Sequence, residues 1–300
     1  MLRPTRQDVS PGRCSVGKRT GILLGRAKPR GAPAPHPVPA REIRMKVLLT
    51  LAVDAEFAPW RRLRNLCEIE VGGVTVRQAQ IGRASVDFVV TGMGAQNARR
   101  VATIVMAQPY TLCIASGFAG ALKPEYSIGS ILVADAVQEI GKAKTLQSSR
   151  ELVHAARSDG AFRAKMFLTS DSVIRTAEEK AKLAPFADAV DMESFAILSV
   201  AHERKLSAVA VRVISDTSTR DIPPFLDTLV DEMGRVNIGG LVRKVMRHPI
   251  QLPALVRLGR DSKTAAEALA HFLEAYIKKL SFLTHGWFPE GEGLAEVASR

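Results

Sequence analysis

The segment Ala208-Val-Ala-Val-Arg-Val-Ile214, followed directly by Ser215-Asp216, decides the fold of this 300-residue chain. Its run of Val, Ala and Ile residues is typical of a strand that is buried on both faces. The earlier run Lys46-Val-Leu-Leu-Thr-Leu-Ala52 has the same character. Asp216 stands where this buried strand ends, and a buried carboxylate needs a partner. The end of this strand is therefore the first place to look for function.

Working outward from this segment, apolar runs alternate with helical patterns. Strands are predicted at residues 46–52, 74–81, 86–91, 111–116, 131–137, 166–169 and 208–214. Helices are predicted at residues 54–65, 95–106, 175–183 and 191–205. This alternation predicts a three-layer α/β/α fold with a central mixed twisted sheet. Ligands of such sheets bind beyond the carboxyl ends of strands, so the segments that follow strands should carry the chemistry.

The chain is predicted to divide into four regions. Residues 1–44 are rich in Pro, Gly and Arg, which indicates a disordered basic extension or a true start at Met45. Residues 45–221 form the predicted catalytic core. Residues 222–280 are expected to be a helical C-terminal part of the same domain, with Pro253 among its breakers and an amphipathic helix at 262–280. Residues 281–300 are expected to be a flexible tail.

The net charge of +12 is concentrated in the extension. Residues 1–44 hold ten Lys or Arg and two acidic residues, a charge of +8, so 12 − 8 = +4 remains for the rest. This mild charge, without interleaved aromatic and basic residues, does not predict specific nucleic-acid binding. The sequence has no apolar run of about 18 residues, no metal-ligand spacing and no phosphate loop. We therefore expect a cytoplasmic protein without metal or cofactor.

Five segments at strand ends or helix starts contain polar or glycine residues that a core would not select. They are Val53-Asp-Ala-Glu56, Thr91-Gly-Met-Gly94, Ser116-Gly-Phe-Ala-Gly120, Val190-Asp-Met-Glu193 and Ile214-Ser-Asp216. Turn geometry or helix capping explains each of them alone. Their occurrence together in one predicted sheet favours a shared site.

With Ile128-Gly-Ser-Ile-Leu-Val133, these segments resemble the purine nucleoside phosphorylase and methylthioadenosine/S-adenosylhomocysteine nucleosidase superfamily. The resemblance runs from Met45 to about Asp216, and its most specific part is the pair Val190–Glu193 and Val211–Asp216. It implies a nucleoside phosphorylase-like fold and a homo-oligomer. It also implies an enzyme, a nucleosidase or a phosphorylase, that cleaves the N-glycosidic bond of a purine nucleoside.

The resemblance implies a role for several side chains. Asp216 would be the acid that serves the purine N7, and burial favours the protonated form that such an acid needs. Glu193 would accept hydrogen bonds from two ribose hydroxyls, with Met192 packed beneath the sugar. Glu56 would orient the attacking water. The structural alternatives are a helix cap for Asp216, ordinary core for Met192 and a solvated first-turn acid for Glu56.

Arg212 is predicted to share a face with Asp216, four residues later, and to pair with an acid near the site. That role is as much structural as catalytic. Val173 stands where the nucleosidases have an aromatic residue that stacks on adenine, so apolar contact is kept and stacking is lost. The other predicted substrate contacts are Gly94, Ala119, Gly120, Ile174 and Ser215.

The nucleophile is predicted to be water. Similar phosphorylases have an arginine where this chain has Ala115, and a serine where it has Phe118. The phosphate site therefore lacks its usual donors, and Glu56 fits a hydrolase. Phosphorolysis with a rebuilt phosphate site is the alternative, and a nucleoside-binding protein without catalysis is the third hypothesis. The arginines considered for a rebuilt site are Arg83, Arg99 and Arg100.

The C-terminal region carries a second resemblance, through Pro223-Pro-Phe, Gly234-Arg-Val, Val242–Pro249 and Leu258–Ser262. It is similar to the hopanoid-associated phosphorylase branch, which implies adenosylhopane, an adenine nucleoside joined to a triterpene, as substrate. Residues 235–260 also place an apolar face beside arginines. That pattern favours peripheral contact with an anionic membrane or, alternatively, a helical flank packed on the sheet.

Overall fold

The computed structural model describes residues 45–222 and 252–283. The basic extension, most of the amphipathic segment 235–260 and the tail beyond residue 283 lie outside the described residues, as do the predictions made for them. Within the described ranges the chain forms ten strands and seven helices. No helix in these ranges has the length and apolarity that crossing a lipid bilayer requires.

The elements follow one another in mixed order along the chain. The strands are β1 (Lys46–Leu51), β2 (Cys67–Val71), β3 (Val74–Ile81), β4 (Ala84–Val90), β5 (Leu112–Ala121), β6 (Ile131–Glu139), β7 (Thr145–Gln147), β8 (Phe162–Thr169), β9 (Ala189–Asp191) and β10 (Ser207–Asp216). The helices are α1 (Asp54–Phe57), α2 (Trp60–Leu63), α3 (Ala95–Val105), α4 (Arg150–Ser158), α5 (Ala177–Leu183), α6 (Ser194–Glu203) and α7 (Leu252–Leu283).

All ten strands belong to one mixed sheet. β1 pairs in parallel with β4 and β5, and β5 pairs in parallel with β10. From β10 the pairing continues through β6, β8 and β9, and β9 returns antiparallel to β5, which closes a ring of five strands. β4, β3 and β2 extend the sheet as antiparallel neighbours. The carboxyl ends of β1, β5 and β10 consequently meet at one edge.

Helices pack on both faces of the sheet. One apolar cluster joins α7 to β1, β4 and β10, with Leu273 and Tyr276 fully buried in it. The other joins α3 and α6 to the opposite face. Tyr276 also donates a hydrogen bond from its hydroxyl to the Leu152 carbonyl at 2.8 Å. The predicted layered α/β fold with a helical C-terminal part is confirmed.

Several predicted boundaries were wrong for local reasons. The predicted helix 54–65 is two short helices, because Pro59 cannot supply a backbone N–H to continue the first and instead caps the second. Pro253, a predicted breaker, lies in the first turn of α7, where proline is tolerated, and the residues before Leu252 lie outside the described ranges. The sequence analysis missed β2, β7, β9 and α4.

A β-bulge interrupts β10 just before its end. Ile214 pairs with Ala119, and Asp216, not Ser215, pairs with the next residue, Gly120. The extra residue shifts the alternation of side chains, so the prediction that Arg212 and Asp216 share a face by simple alternation is wrong. The two side chains have separate partners, described below.

The expected single domain of residues 45–280 can be tested through α7. Leu273 is fully buried and Val256 is 53% exposed on the same helix. We expect Leu273→Ala to lower the free energy of unfolding by about 2–5 kcal/mol and Val256→Ala to change it by less than about 0.5 kcal/mol. Chemical denaturation should show one cooperative transition. A separate transition for α7 would contradict the prediction.

Candidate active site

A cavity of about 590 Å³ lies where the carboxyl ends of β1, β5 and β10 meet. Its walls include residues 52–56 after β1, residues 118–120 of β5 and residues 215–216 of β10. Leu258 and Ser262 of α7 contribute to the wall from the C-terminal part. This is the edge at which α/β sheets bind ligands, as the sequence predicts.

Nine of the eleven predicted site residues line this cavity. They are Glu56, Ala119, Gly120, Val173, Ile174, Met192, Glu193, Ser215 and Asp216. The two that do not are Gly94, whose N–H donates to Glu193, and Arg212, which is buried behind the carboxylates. The structure therefore brings Asp216 and Glu193, the two groups on which the predicted chemistry depends, to one cavity.

The bulge in β10 sets the position of Asp216. Its Oδ1 accepts a hydrogen bond from the Ser215 hydroxyl at 2.9 Å, and its Oδ2 accepts one from the Lys180 ammonium at 2.6 Å. Gly120 faces Asp216, and a Cβ at Gly120 would lie 2.8 Å from Oδ2. The absence of a side chain at Gly120 thus leaves room for the carboxylate.

Lys180 is the residue of this site that the sequence analysis missed. It lies on α5, is fully buried and forms an ion pair with Asp216. Its neighbours Glu178, Glu179 and Lys182 make the local sequence resemble a solvated helix face. No periodicity marks it as buried, so only the three-dimensional structure could identify it.

Glu193 is the cap residue at the start of α6 and is 5% exposed. Its Oε1 accepts a hydrogen bond from the Gly94 N–H at 2.8 Å, and its Oε2 lies 3.8 Å from an Arg212 nitrogen. Burial raises the pKa of Glu193 to about 7; nearby Asp191 and Glu56 add to this rise, while Arg212 and the Gly94 N–H oppose it. Glu193 therefore changes charge near neutral pH.

Arg212 is fully buried at the centre of this acidic group. Its Nε lies 2.8 Å from Asp191 Oδ2, and its other nitrogens donate to Ser194 Oγ at 2.9 Å and the Ser116 carbonyl at 2.9 Å. The predicted pairing with an acid near the site is observed, and the acid is Asp191. The guanidinium contacts Asp191 and Glu193 on the side away from the cavity, so it fixes the positions of these carboxylates without lining the cavity itself.

Glu56 connects the first helix to β5. Its Oε2 accepts hydrogen bonds from the Ala52 and Val53 N–H groups at 2.6 and 3.2 Å, and its Oε1 accepts one from the Phe118 N–H at 2.7 Å. It is 2% exposed, so it is not the solvated acid that the alternative interpretation requires. Burial raises the pKa of Glu56, and Arg212 and the three backbone N–H groups oppose this effect. A carboxylate has about four acceptor positions, so one remains for a water molecule.

Two of the acidic groups that line the cavity, Asp191 and Asp216, are paired with Arg212 and Lys180. The described lining residues include five carboxylates and no Lys, Arg or His. Two of the arginines considered for a phosphate site make contacts elsewhere. Arg99 donates hydrogen bonds to Ser199 and Glu203, and the Arg83 guanidinium lies over the Phe282 ring. Arg100 is exposed on α3. None of the three lines this cavity.

Other lining residues were also missed by the sequence analysis. Asp191 belongs to the same segment as Glu193, so its proximity in sequence could have identified it. Phe118 was noted only as a departure from the phosphorylase pattern, yet its backbone N–H binds Glu56 and its side chain lines the cavity. Leu258 and Ser262 could not have been placed at the site, because nothing local indicates that α7 reaches it.

Comparison with known proteins places this site in a family. Residues 46–244, about two thirds of the chain, match the phosphorylase superfamily. The chain belongs to the phosphorylase superfamily. The 5'-methylthioadenosine/S-adenosylhomocysteine nucleosidase of Staphylococcus epidermidis is 25% identical over an alignment of 183 residues, which covers 52% of this chain and 79% of the relative. The predicted superfamily and enzyme class, a nucleosidase or phosphorylase, are confirmed at this level.

Solved structures of this phosphorylase superfamily have the same fold. The 5'-methylthioadenosine/S-adenosylhomocysteine nucleosidase of Helicobacter pylori, solved with butyl-thio-DADMe-Immucillin-A, superposes with a TM-score of 0.62 at 17% identity, over 79% of this chain and 100% of that one. The futalosine hydrolase of Helicobacter pylori gives 0.61 at 17% identity, over 79% and 98%. At these identities the similarity shows the fold alone.

The absence of a side chain at Gly117 leaves room for the Glu56 carboxylate and the Arg212 guanidinium. This close approach predicts that a substitution at Gly117 lowers stability. Its φ is +142°, and a Cβ there would lie 2.8 Å from Glu56 Oε1 and too close to the Arg212 guanidinium. Gly141 has a φ of +76° with open space around it. We expect Gly117→Ala to cost at least about 3 kcal/mol of unfolding free energy and Gly141→Ala about 1–2 kcal/mol. Equal costs would show that backbone strain alone matters at Gly117.

The raised pKa of Glu193 predicts a pH dependence of stability. Since the folded protein favours the protonated form, the stability contributed at low pH is lost as pH rises from about 4.5 to about 7. The expected loss for the unliganded protein is up to about 3 kcal/mol. Glu193→Gln should reduce this loss in denaturation experiments, whereas the exposed Glu125→Gln should not. An unchanged slope in Glu193→Gln would contradict the assignment.

Proposed function

We propose that this chain hydrolyses the N-glycosidic bond of a 5'-substituted adenine nucleoside and releases adenine. The observation that carries the proposal is the shared cavity of Asp216, Glu193 and Glu56. Its volume of about 590 Å³ is in the range of small-molecule sites. The activities of the nucleosidase and futalosine hydrolase relatives support the same reaction class.

Asp216 is the proposed acid for the leaving base. When the bond between C1' and N9 breaks, its electron pair moves onto the purine and the sugar becomes cation-like. A proton passed from Asp216 to N7 neutralises the base as it leaves, and such proton transfer contributes about 10²–10⁴-fold to rate. The Ser215 hydroxyl, bound to Oδ1 at 2.9 Å, restricts the orientation of the carboxyl group.

Glu193 and Glu56 are proposed to act on the sugar and the water. In its charged form, Glu193 accepts hydrogen bonds from ribose hydroxyls, while the Gly94 N–H and Arg212 hold it from behind. Met192 lines the same wall and packs against the sugar. Glu56 uses its remaining acceptor position to orient a water towards C1' and takes a proton from it as the new bond forms.

The charge of the cavity favours water over phosphate. The described lining of the cavity offers a phosphate dianion no cationic side chain, and the cations behind it, Arg212 and Lys180, are already paired with Asp191 and Asp216. Phosphate sites normally combine an arginine with backbone donors. Arg212 does not serve this purpose, because Asp191 and Ser194 already occupy it.

The walls of the cavity suggest which nucleoside fits. Val173 and Ile174 give the base an apolar contact without an aromatic ring. Ile222, Phe118 and Leu258 add further apolar surface, which suits an apolar 5' substituent. Together with the C-terminal resemblance to the hopanoid-associated branch, this supports adenosylhopane as the specific substrate. Peripheral membrane contact through residues 235–260 would bring the enzyme to such a substrate.

Two further predictions concern the setting of the reaction. We propose a homo-oligomer, as the superfamily resemblance implies, and a cytoplasmic location at or near the membrane surface. Residues 45–221 then form the catalytic core, and residues 222–280 complete it as part of the same domain. Light scattering of the purified protein and fractionation of cells that produce it would test the first two statements.

Release of free adenine tests the proposed reaction. We expect the purified protein to release adenine from adenosines with apolar 5' substituents at the same rate with and without phosphate. Asp216→Asn should lower kcat by at least about 10²-fold, because the amide cannot supply the proton. Asp135→Asn, the same substitution outside the cavity, should retain full activity. In the wild-type protein the Asp135 carboxylate accepts a hydrogen bond from Arg163, away from the cavity.

Each other result identifies a different function. Ribose 1-phosphate formed only with phosphate would show a phosphorylase with a rebuilt site. Nucleoside binding without release of base would show a binding protein. Full activity of Asp216→Asn would remove the proposed mechanism.

A further inference from the structure

A fully buried lysine contacts the proposed acid. The Lys180 ammonium donates to Asp216 Oδ2 at 2.6 Å, to the Thr217 carbonyl at 2.9 Å and to the Arg220 carbonyl at 3.1 Å. An ammonium group has three N–H donors, so each has one acceptor and the side chain has a fixed orientation. The two carbonyl contacts suffice to hold the turn after β10. The third contact is an ion pair that neutralises the buried ammonium and joins it to a carboxylate that lines the cavity.

The pair raises a question about the source of the proton. An acid for the leaving base must carry a proton, but a cation in contact with a carboxyl group favours its ionised form. In the ion pair the available proton therefore resides on the lysine nitrogen. Because Lys180 is fully buried and Asp216 is 9% exposed, solvent has little access to this pair.

We propose that Lys180 is a positioning residue that aims Asp216 at the leaving base and supplies the proton that Asp216 passes on. This inference rests on the proposed nucleosidase function and deepens it. Lys180 does not line the cavity and acts only through Asp216. Asp216 receives the proton from Lys180 at Oδ2 and passes that same proton to the base, so the carboxyl group is protonated only during the transfer.

The protons and electrons of this step balance. The bond between C1' and N9 breaks, and its electrons move to the purine. A proton moves from Lys180 to Asp216 and from Asp216 to the purine, so Lys180 becomes a neutral amine and Asp216 ends as a carboxylate. Water adds to C1' and gives its proton to Glu56. After the products leave, Glu56 loses its proton to solvent and Lys180 regains one through Asp216, which lines the open cavity, so the starting state is restored.

The charged groups around the pair are occupied by other partners. Arg220 forms an ion pair with Asp261 of α7 at 2.8 Å. The Asp221 carboxylate accepts from the Ala177 N–H. On α5 itself, Glu178 pairs with Lys182, and Glu179 caps the helix through the Arg175 and Thr176 N–H groups. On β5, Gly120 lies beside Asp216 and carries no charge. Lys180 and Asp216 are thus each other's charged partner.

Two substitutions separate proton supply from charge. Lys180→Met removes the charge and the proton. Lys180→Arg keeps the charge and N–H donors, but a guanidinium is not deprotonated in proteins. We expect both to lower kcat at pH 7 by about 10²-fold with KM changed by less than about threefold. Lys182→Met, on the exposed side of the same helix, should retain full kcat. Full activity of Lys180→Arg would overturn the proposal, because charge alone would then suffice.

The Asp216→Asn background shows whether Lys180 acts through Asp216. Losses from residues that act as one unit are not additive. We therefore expect Lys180→Met to cause no further loss of kcat in Asp216→Asn, whereas a merely structural role would lower kcat in both backgrounds. Circular dichroism and binding of a non-hydrolysable nucleoside analogue verify that the variants fold. If Lys180→Met does not fold, Lys180→Arg decides the question.

The pH profile of kcat gives an independent test. If Lys180 supplies the proton, its replacement by Met moves the loss of activity at high pH to lower pH, because the carboxyl group must then obtain its proton from solvent. A move to higher pH would show that the ammonium only keeps Asp216 ionised, and would overturn the inference. If the wild-type protein releases base from no nucleoside, the proposed function fails as well. An active wild type with full activity in Lys180→Arg removes the inference alone.

Discussion

The burial of the Arg212 guanidinium beneath a group of carboxylates is the interaction on which the rest of the site depends. Asp191 neutralises it directly at 2.8 Å, and Glu193 lies 3.8 Å away. A buried ion pair is costly to break, because removal of one partner leaves an unpaired charge in the interior. Arg212 therefore determines the position of strand β5, the start of α6 and the acids that line the cavity. The chemistry proposed for those acids requires this fixed arrangement.

Much of the fold follows from local sequence. The buried runs of β1 and β10 and the helices α3 and α6 were predicted close to their observed bounds, because buried strands and long helices give a strong apolar signal. The strand β5 continues to Ala121, five residues beyond its predicted end, because its glycine-containing segment was interpreted as a turn. The short strand β9 could not be predicted in this way, since three residues have too little periodicity. The five-stranded ring closes through the pairing of β9 with β5. Its closure therefore could not be predicted from the sequence either.

The site was predictable where its residues belong to segments with unusual composition. Asp216, Glu193 and Glu56 stand at strand ends or helix starts, and the structure brings all three to one cavity. Lys180 was not predictable, because its neighbours on α5 are charged and the cause of its burial is tertiary. The β-bulge at Ser215 could not be predicted from the sequence either. Because it shifts the alternation of side chains, the prediction that Arg212 and Asp216 share a face was wrong.

The contribution of Leu258 and Ser262 to the cavity wall has a consequence for protein synthesis. Residues 52–56, which also line the cavity, leave the ribosome long before α7 has been translated. Until then the acidic pocket lacks the wall that α7 provides, and the apolar face on which α7 packs remains uncovered. A ligand therefore meets the complete wall of the cavity only after α7 has been translated.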